Sequence, residues 1–231
     1  MPDNIDRTVE SFVSSIQKIE DELKDDLERL SYRMRDMTET QLLQTTRRLN
    51  FLQELIDKGY GDEVNGLMAN YDNLLKEAVD EAKRRGIPPL KAETVQALQQ
   101  LKDLDTEILL GRASAFSNEL KKLLFTNIYS GTSISEIVAQ LGQTNLATSQ
   151  LNVAVNTGLR QFSDFSRYNI FKGEDVRWTY TGPQDARTRP ECQTTHNNEP
   201  AKGYTESQVN DSDTPFGVRG GFNCRHSWMV L

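Results

Sequence analysis

Cysteine, histidine and tryptophan are scarce in this 231-residue chain, which has two of each. So few cysteines exclude a scaffold built on disulfides, as found in many small secreted proteins. No apolar run reaches the roughly 18 residues that a membrane-spanning helix needs. The opening residues MPDNIDRTVE also lack the basic and apolar regions of a secretory signal. We therefore expect a soluble protein, made in a cytoplasm, with no membrane span.

The chain also lacks the features of nucleic-acid binders and of common enzyme classes. Its 27 Lys and Arg residues are outnumbered by 34 Asp and Glu, which gives a net charge of −7. Because binding to phosphates requires clustered basic residues, we expect direct DNA binding to be weak or absent and the partner to be a protein. The motifs G-x-S-x-G, H-E-x-x-H, G-x-G-x-x-G and the P-loop are absent. The prediction is that the chain is not an enzyme.

What the chain does have, in its first 40 residues, is an apolar seam at helical spacing. The seam consists of Ile5, Val9, Phe12, Ile16, Ile19, Leu23, Leu27, Leu30, Met34 and Met37. Such a seam needs another helix to cover it. That helix comes either from the same chain or from a second chain, through self-association or docking. For the second alternative, the candidate partner-binding residues are Ile16, Leu23 and Leu30.

Two more helices are predicted before residue 125. One spans about 62–85, after the turn at Lys58-Gly59-Tyr60-Gly61 and before the stop at Gly86-Ile87-Pro88-Pro89. The next spans about 94–125. We therefore expect residues 1–125 to form one domain, a long antiparallel helical bundle or rod.

Residues 126–231 form the second predicted domain, with helices over 133–172 and a small α+β cap over 173–231. Ser133 and Glu136 make a capping box that starts a helix ending near Gly142. Another helix is predicted from Leu146 to about residue 168. Alternation over 176–180 predicts a strand, and residues 228–231 a closing strand. The predicted fold class is mainly α with a small α+β C-terminal cap.

The cap contains every cysteine and histidine of the chain, in the pairs Cys192-x-x-x-His196 and Cys224-x-His226. Residues four apart share one face of a helix, and residues two apart share one side of a strand. Two thiolates and two imidazoles suit tetrahedral zinc, so the four residues are a candidate zinc site. Two alternatives stay open: a disulfide that closes a loop of about thirty residues, or uncoordinated thiols with ordinary polar histidines.

Between the predicted strand and the first Cys/His pair lies Asp185-Ala-Arg-Thr-Arg-Pro190. Asp185 can accept hydrogen bonds from backbone N–H groups and from guanidinium groups, while Pro190 restricts the exit, so a fixed turn is expected. A structural ion pair, a partner-binding arginine and a catalytic carboxylate are the three interpretations. The two tryptophans, Trp178 and Trp228, are expected in the core of the cap.

The order of three segments in this region resembles a known family. The segments are Val-Arg-Trp-Thr-Tyr at 176–180, the run from Asp185 to Cys192, and Gly220-Gly-Phe-Asn-Cys-Arg-His226. Together they resemble the C-terminal domain of the phage Mu F-like head morphogenesis proteins, or minor head proteins. The resemblance covers about the last 105 residues and does not extend to the first 125.

The resemblance implies roles for particular residues. The family's D-x-R-T turn is matched by Asp185, Arg187 and Thr188. Its Cys/His positions are matched by Cys192, Cys224 and His226. His196 is added from the spacing alone. The chain departs from many relatives in having Arg189 where they carry a further cysteine, and in lacking their Pro-Pro pair before the last motif.

The function that the resemblance implies is structural. It implies a bacteriophage minor head protein, present in few copies, assembled in the host cytoplasm and located in the virion, inside the head or at the portal. Such a protein contacts the portal or capsid protein and acts in head assembly, DNA packaging or ejection. A head-to-tail connector or ejection component is the nearest alternative. A zinc-stabilised nucleic-acid-binding module is another; its basic face would consist of Arg187, Arg189, Arg219 and Arg225.

Overall fold

The structure, a computed structural model, describes residues 2–34, 36–143 and 148–231. Within these ranges the elements in chain order are α1 (Pro2–Met34), α2 (Glu39–Arg48), α3 (Phe51–Asp57), α4 (Tyr60–Arg84), α5 (Ala92–Tyr129), α6 (Ile134–Gln143), α7 (Thr148–Phe171), β1 (Trp178–Thr181), α8 (Pro190–Asn197), α9 (Glu206–Asn210) and β2 (Ser227–Val230). The predicted fold class is confirmed: a long helical bundle precedes a small cap with one two-stranded antiparallel sheet.

Several element boundaries follow from local chemistry that the sequence displays. Gly59 and Gly86 have positive φ values of 98° and 73° and lie where the predicted turns end one helix and precede the next. The backbone N–H of Glu136 donates to the Ser133 hydroxyl, and the N–H of Ser133 donates to the Glu136 carboxylate. The predicted capping box is therefore present. The predicted start of the following helix, at Leu146, lies outside the described residues.

The first helix is shorter than its apolar seam predicts. It ends at Met34, and Thr38 begins α2 with a capping box to Gln41. Asn50 then caps α3, accepting a hydrogen bond from the N–H of Gln53. Thr38-x-x-Gln41 is a start signal that periodicity alone does not detect, because the apolar spacing continues through Met37.

The compact units of the chain do not divide at residue 125. One unit, here the first, consists of Met1–Glu10, Leu67–Asp105 and Asn152–Leu231; the second consists of Ser11–Gly66 and Thr106–Leu151. Each of α1, α4, α5 and α7 contributes residues to both units. The predicted boundary at 125/126 assumed that a change in composition along the chain is also a spatial boundary. Long helices break that assumption, because one helix can enter two cores.

The apolar seam of α1 from Phe12 onward lies in the second unit and is largely buried there. Ile16 is 1% exposed, Leu23 is fully buried and Leu30 is half-buried. Phe51, Leu55, Phe116 and Leu120 are buried in the same unit. The seam is thus covered by the chain itself, and Ile16 and Leu23 are not available for self-association or for docking to another chain. This corrects the interpretation of Ile16, Leu23 and Leu30 as a partner-binding surface.

Helix α5 is apolar on more than one side. Leu98, Leu109, Leu120 and Leu124 are buried, whereas Leu104 and Ile108 are 54% and 53% exposed. Apolar spacing over the helix predicted at about 94–125 therefore does not separate the buried residues from the exposed ones. The reason is that a two-sided helix offers apolar residues at nearly every spacing, so the spacing does not show which set faces the core.

The core of the first unit is rich in aromatic residues and supports the cap. It contains Trp178, Tyr180 and Trp228, all fully buried, together with Phe171 and Tyr204. The predicted placement of both tryptophans in the core is confirmed. Rings meet edge to face or tilted, with the centroids of Tyr180 and Trp228 4.7 Å apart and those of Tyr204 and Trp228 5.3 Å apart.

Helix α7 brings charged side chains into the same unit. Arg160, Asp164 and Arg167 are almost fully buried at intervals of three or four residues. Arg160 pairs with Asp6 at 2.6 Å, and Arg219 pairs with Asp164 at 3.3 Å. Burial raises the pKa of Asp164 to about 7, although the neighbouring guanidinium groups act in the opposite direction.

Among the helices that the structure describes, none combines the length and the apolar character that crossing a membrane requires.

The buried seam generates a stability prediction. Leu23→Ala should lower the free energy of unfolding by about 2–5 kcal/mol, because it leaves a cavity in the second unit. Leu110→Ala, in the same unit but 43% exposed, is the matched control and should change it by less than about 1 kcal/mol. Urea denaturation measures both. Equal losses in the two variants would contradict the assignment of the seam to the core.

Candidate metal centre

Strand pairing positions the first side chain of the site. In β1 and β2, Tyr180 lies opposite Trp228 and Trp178 lies opposite Val230. The buried side chains of β1 alternate, so that Trp178 and Tyr180 point inward. On the other edge of β1, Trp178 and Tyr204 exchange backbone hydrogen bonds of 2.9 and 2.8 Å. Tyr180 is thus fixed from both sides of its strand, with its ring in the core.

Helix α8 carries Cys192. Pro190 occupies the first turn of this helix, where its missing N–H costs no hydrogen bond. Cys192 faces inward and is 1% exposed. His196 lies one turn later on the same helix, as the four-residue spacing predicts.

The C-terminal segment carries Cys224 and His226, which are 4% and 3% exposed. Asn223 just before them has a φ of 57°, in the left-handed region that asparagine tolerates. Two glycines allow the backbone to approach. A Cβ at Gly220 would collide with the sulfur of Cys192, and a Cβ at Gly182 would collide with the imidazole ring of His226.

Three of the four predicted ligands come together. The candidate ligand atoms of Cys192, Cys224 and His226 all lie within 4.8 Å of one another, and all three residues are buried. The two sulfurs are 3.7 Å apart, and the Cys224 sulfur is 3.8 Å from His226 Nδ1. Both cysteines are free, so the disulfide alternative does not describe this structure. This group of three is called the Cys/His cluster below.

The fourth predicted ligand, His196, does not join the Cys/His cluster. Its Nδ1 atom lies 3.2 Å from the backbone oxygen of Tyr180. Instead, the hydroxyl group of Tyr180 lies 3.5 Å from the sulfur of Cys192 and 3.6 Å from that of Cys224. Spacing predicted correctly that Cys192 and His196 share a helix, but the direction of each side chain depends on what packs against the helix.

Burial and hydrogen bonding separate the two thiols. Burial raises the pKa of the Cys192 thiol to about 11. Burial also acts to raise the pKa of Cys224, but hydrogen bonds from His226 and from Tyr180 stabilise its thiolate, and the net result is a lowered pKa. The thiolate is the form that binds metals, so Cys224 is the better prepared of the two sulfurs.

The distances in the Cys/His cluster fit zinc. Zinc–sulfur bonds of about 2.3 Å in a tetrahedral site put two sulfurs about 3.8 Å apart, and here they are 3.7 Å apart. His226 Nε2 is buried without a hydrogen-bond partner among the described residues. Its ring stacks on that of Tyr180, with centroids 5.1 Å apart and planes inclined by 14°.

Asp185 forms the turn that its sequence predicts. Its carboxylate accepts a hydrogen bond from the N–H of Arg187, and its own N–H donates to the Thr188 hydroxyl, both at 2.9 Å. Arg225 donates two hydrogen bonds to the same carboxylate, of 2.8 and 2.6 Å. The bidentate guanidinium of Arg225 holds the pKa of Asp185 well below its usual range. An ion pair between Asp185 and Arg225 therefore holds this turn, and it connects the segment before Cys192 to the segment that carries Cys224 and His226.

A second arginine makes the same connection. Arg189 donates to the backbone oxygens of Gly220 and Phe222. Arg189 thus anchors the segment just before Cys224. The sequence did not identify Tyr180, Arg225, Gly182 or Gly220 as site residues. For Tyr180 a signal existed, because the alternation in 176–180 puts it on the inward side of its strand together with Trp178.

Comparisons with known proteins find no match. This holds for family models, for curated proteins and for solved structures.

The close approach at Gly220 can be tested by adding one methyl group. Gly220→Ala should lower the free energy of unfolding by about 1–3 kcal/mol, because the new Cβ and the sulfur of Cys192 cannot occupy the same space. Gly111→Ala is the control: it lies in α5 with open space around it, and should be neutral or stabilising by up to about 1 kcal/mol. Thermal and urea unfolding measure both. A neutral Gly220→Ala would contradict the packing.

The ion pair at the turn predicts a dependence of stability on pH. A carboxyl group with a lowered pKa stabilises the folded state above its unfolded pKa of about 4, and the stabilisation is lost as the pH falls further. Asp185→Asn should therefore be less stable than the wild type at about pH 6, and the difference should shrink toward about pH 3. Asp175→Asn, at an exposed carboxylate for which the structure describes no ion pair, should show no such trend.

Proposed function

We propose that this chain is a minor structural protein of a bacteriophage head, held in few copies by the portal or inner capsid protein, with a zinc ion stabilising its C-terminal cap. It acts in head assembly, DNA packaging or ejection. The proposal carries over what the resemblance of the cap implies. Its location is the virion, at the head interior or portal region.

One observation supports the proposal: hydrogen bonds and buried side-chain contacts connect the sequence segments that resemble the family. The segment 176–180 supplies Tyr180 in β1, the D-x-R-T turn supplies Asp185, and the last segment supplies Arg225, which binds that carboxylate through two hydrogen bonds. Cys192 from the second segment meets Cys224 and His226 from the third. Segments whose side chains contact one another have a physical reason to occur together in one sequence. The contacts therefore support the interpretation of the segments as a single motif.

The arginines of the cap argue against the nucleic-acid alternative. Arg225 pairs with Asp185, Arg189 binds backbone oxygens, and Arg219 is buried and pairs with Asp164. Of the four arginines that would form a basic face, three are therefore engaged by other groups of the first unit. Arg187 is exposed, and Arg189 is exposed as well although its guanidinium binds backbone oxygens. Two such arginines do not provide the clustered charge that phosphate binding needs.

The metal in this proposal has a structural role. Cys192, Cys224 and His226 would hold zinc; Cys192 comes from the short helix α8, and Cys224 and His226 come from the segment just before β2. A structural zinc site contributes its binding free energy to folding, because the unfolded chain does not assemble the ligands. Gly182 and Gly220 pack closely against the Cys/His cluster, as expected for a buried structural site.

The second unit offers a surface for the protein partner. A groove of about 280 Å³ in this unit is lined mainly by apolar side chains, namely those of Met34, Leu42, Leu124, Ile128, Tyr129 and Ile137. Tyr129 is 77% exposed. Aromatic and methionine side chains are enriched at protein interfaces, where they bury much area at small entropic cost. We assign the portal contact to this groove, in place of the buried seam of α1.

The test is native mass spectrometry of the chain co-expressed with the portal protein of the same virus. A defined complex, with about 65 Da of additional mass per copy of this chain, supports both parts of the proposal. A complex without the additional mass would refute the zinc, and a zinc-loaded free chain would refute the portal contact. Each part can thus fail by itself.

Two charge variants locate the contact. Tyr129→Glu should abolish the complex with the portal protein, because it places a charge in the apolar groove. Phe222→Glu is the matched control, since Phe222 is 65% exposed but lies outside the groove. It should leave the complex intact. Retention of the complex by Tyr129→Glu would remove the groove from the proposal.

A further inference from the structure

We propose that the oxygen of Tyr180 is the fourth ligand of the metal centre, together with Cys192, Cys224 and His226, as the phenolate that remains when the metal displaces the hydroxyl proton to solvent. This inference rests on the metal binding in the proposed function and goes beyond it. It assigns the coordination sphere as two sulfurs, one nitrogen and one oxygen, all from the protein. It replaces His196, the ligand that spacing predicts.

The distances around Tyr180 are those of a tetrahedral site. With zinc–sulfur bonds of about 2.3 Å and zinc–oxygen bonds of about 2.0–2.2 Å, a sulfur and an oxygen ligand lie about 3.5–3.7 Å apart. The hydroxyl oxygen of Tyr180 lies 3.5 Å from one sulfur and 3.6 Å from the other. The two sulfurs are 3.7 Å apart, and His226 Nδ1 is 3.8 Å from the sulfur of Cys224. Four edges of one tetrahedron therefore have lengths close to the required ones.

The position of the hydroxyl group is not adjustable, which distinguishes a built site from a chance contact. Tyr180 has no exposed surface. Its ring is held between His226, at 5.1 Å, and Trp228, at 4.7 Å between centroids. Its backbone is held by the pairing with Trp228 in β2. A ligand fixed in this way before the metal arrives loses little conformational entropy on binding.

His196 is then a positioning residue. Its ring contacts the backbone oxygen of Tyr180 at 3.2 Å, so His196 contacts a ligand residue at the main chain and not at the ligand atom. Groups outside the ligand shell commonly orient the ligands and are worth about 10- to 100-fold in metal affinity. Both residues of the Cys192-x-x-x-His196 pair thus belong to the site. Cys192 is a ligand, and His196 orients the ligand Tyr180.

The chemical consequence is a closed site. Catalytic zinc sites keep one position for water or substrate, whereas structural sites fill all four with protein ligands. With Tyr180 in the fourth position, no water is bound to the metal, so no metal-bound hydroxide can form. The assignment therefore also explains why the Cys/His cluster serves stability.

Cobalt(II) in place of zinc, with azide as the added ligand, tests the assignment in the full-length protein. The visible spectrum of wild-type protein loaded with cobalt should be that of a tetrahedral site and should not change with azide. Tyr180→Phe retains the ring packing but opens the fourth position, so its spectrum should shift with azide and its affinity for cobalt should fall at least about tenfold. His196→Ala, the matched control, should lose affinity but remain insensitive to azide.

The outcomes separate the possible failures. Wild-type protein whose spectrum responds to azide would overturn the assignment, because the fourth position would then be open and Tyr180 only a hydrogen-bond donor to the thiolates. A response in His196→Ala but not in Tyr180→Phe would return the fourth position to His196. Wild-type protein that binds no cobalt or zinc would overturn the metal part of the proposed function together with this inference. None of these results bears on the portal contact.

Discussion

The cap depends on the pairing of β1 with β2. This short ladder sets Tyr180 opposite Trp228 and closes the chain from residue 181 to residue 227 into a loop. Everything that forms the site lies in or next to that loop: the turn at Asp185, helix α8, and the segment from Gly220 to His226. Since the strands have four residues each, their own hydrogen bonds supply little stability. The aromatic core beneath them, with Trp178 and Trp228 fully buried, supplies more.

The loop is then fastened by polar contacts that run across it. Arg225 binds Asp185 from 40 residues away, and Arg189 binds the backbone at Gly220 and Phe222. These contacts lie at the surface, where ion pairs contribute little individually. Their importance is geometric, because they fix the position of the segment that carries Cys192 relative to the segment that carries Cys224. A metal held by Cys192, Cys224 and His226 would tie the same two segments from the buried side.

Some of this could be predicted because it depends on neighbours in sequence. The turn at Asp185 needs only the hydrogen bonds of an aspartate to its own backbone, and the capping box needs only Ser133 and Glu136. The strands and the buried tryptophans follow from alternation and from size. The break of the first helix at Met34 was equally local, since Thr38 and Gln41 signal it. It was missed because the apolar spacing runs on through that point.

The helical character of the chain, the α+β cap, the turn and three of the candidate metal ligands, namely Cys192, Cys224 and His226, could be predicted from the sequence. Tertiary structure alone decided which of those residues meet. Cys192 and His196 share a helix, yet the packing of α8 against β1 sends the sulfur to the cluster and the imidazole to a backbone oxygen. It also brought Tyr180 to the sulfurs and buried the seam of α1. The reason is that spacing fixes directions within one element, whereas the contacts between elements depend on how their surfaces fit.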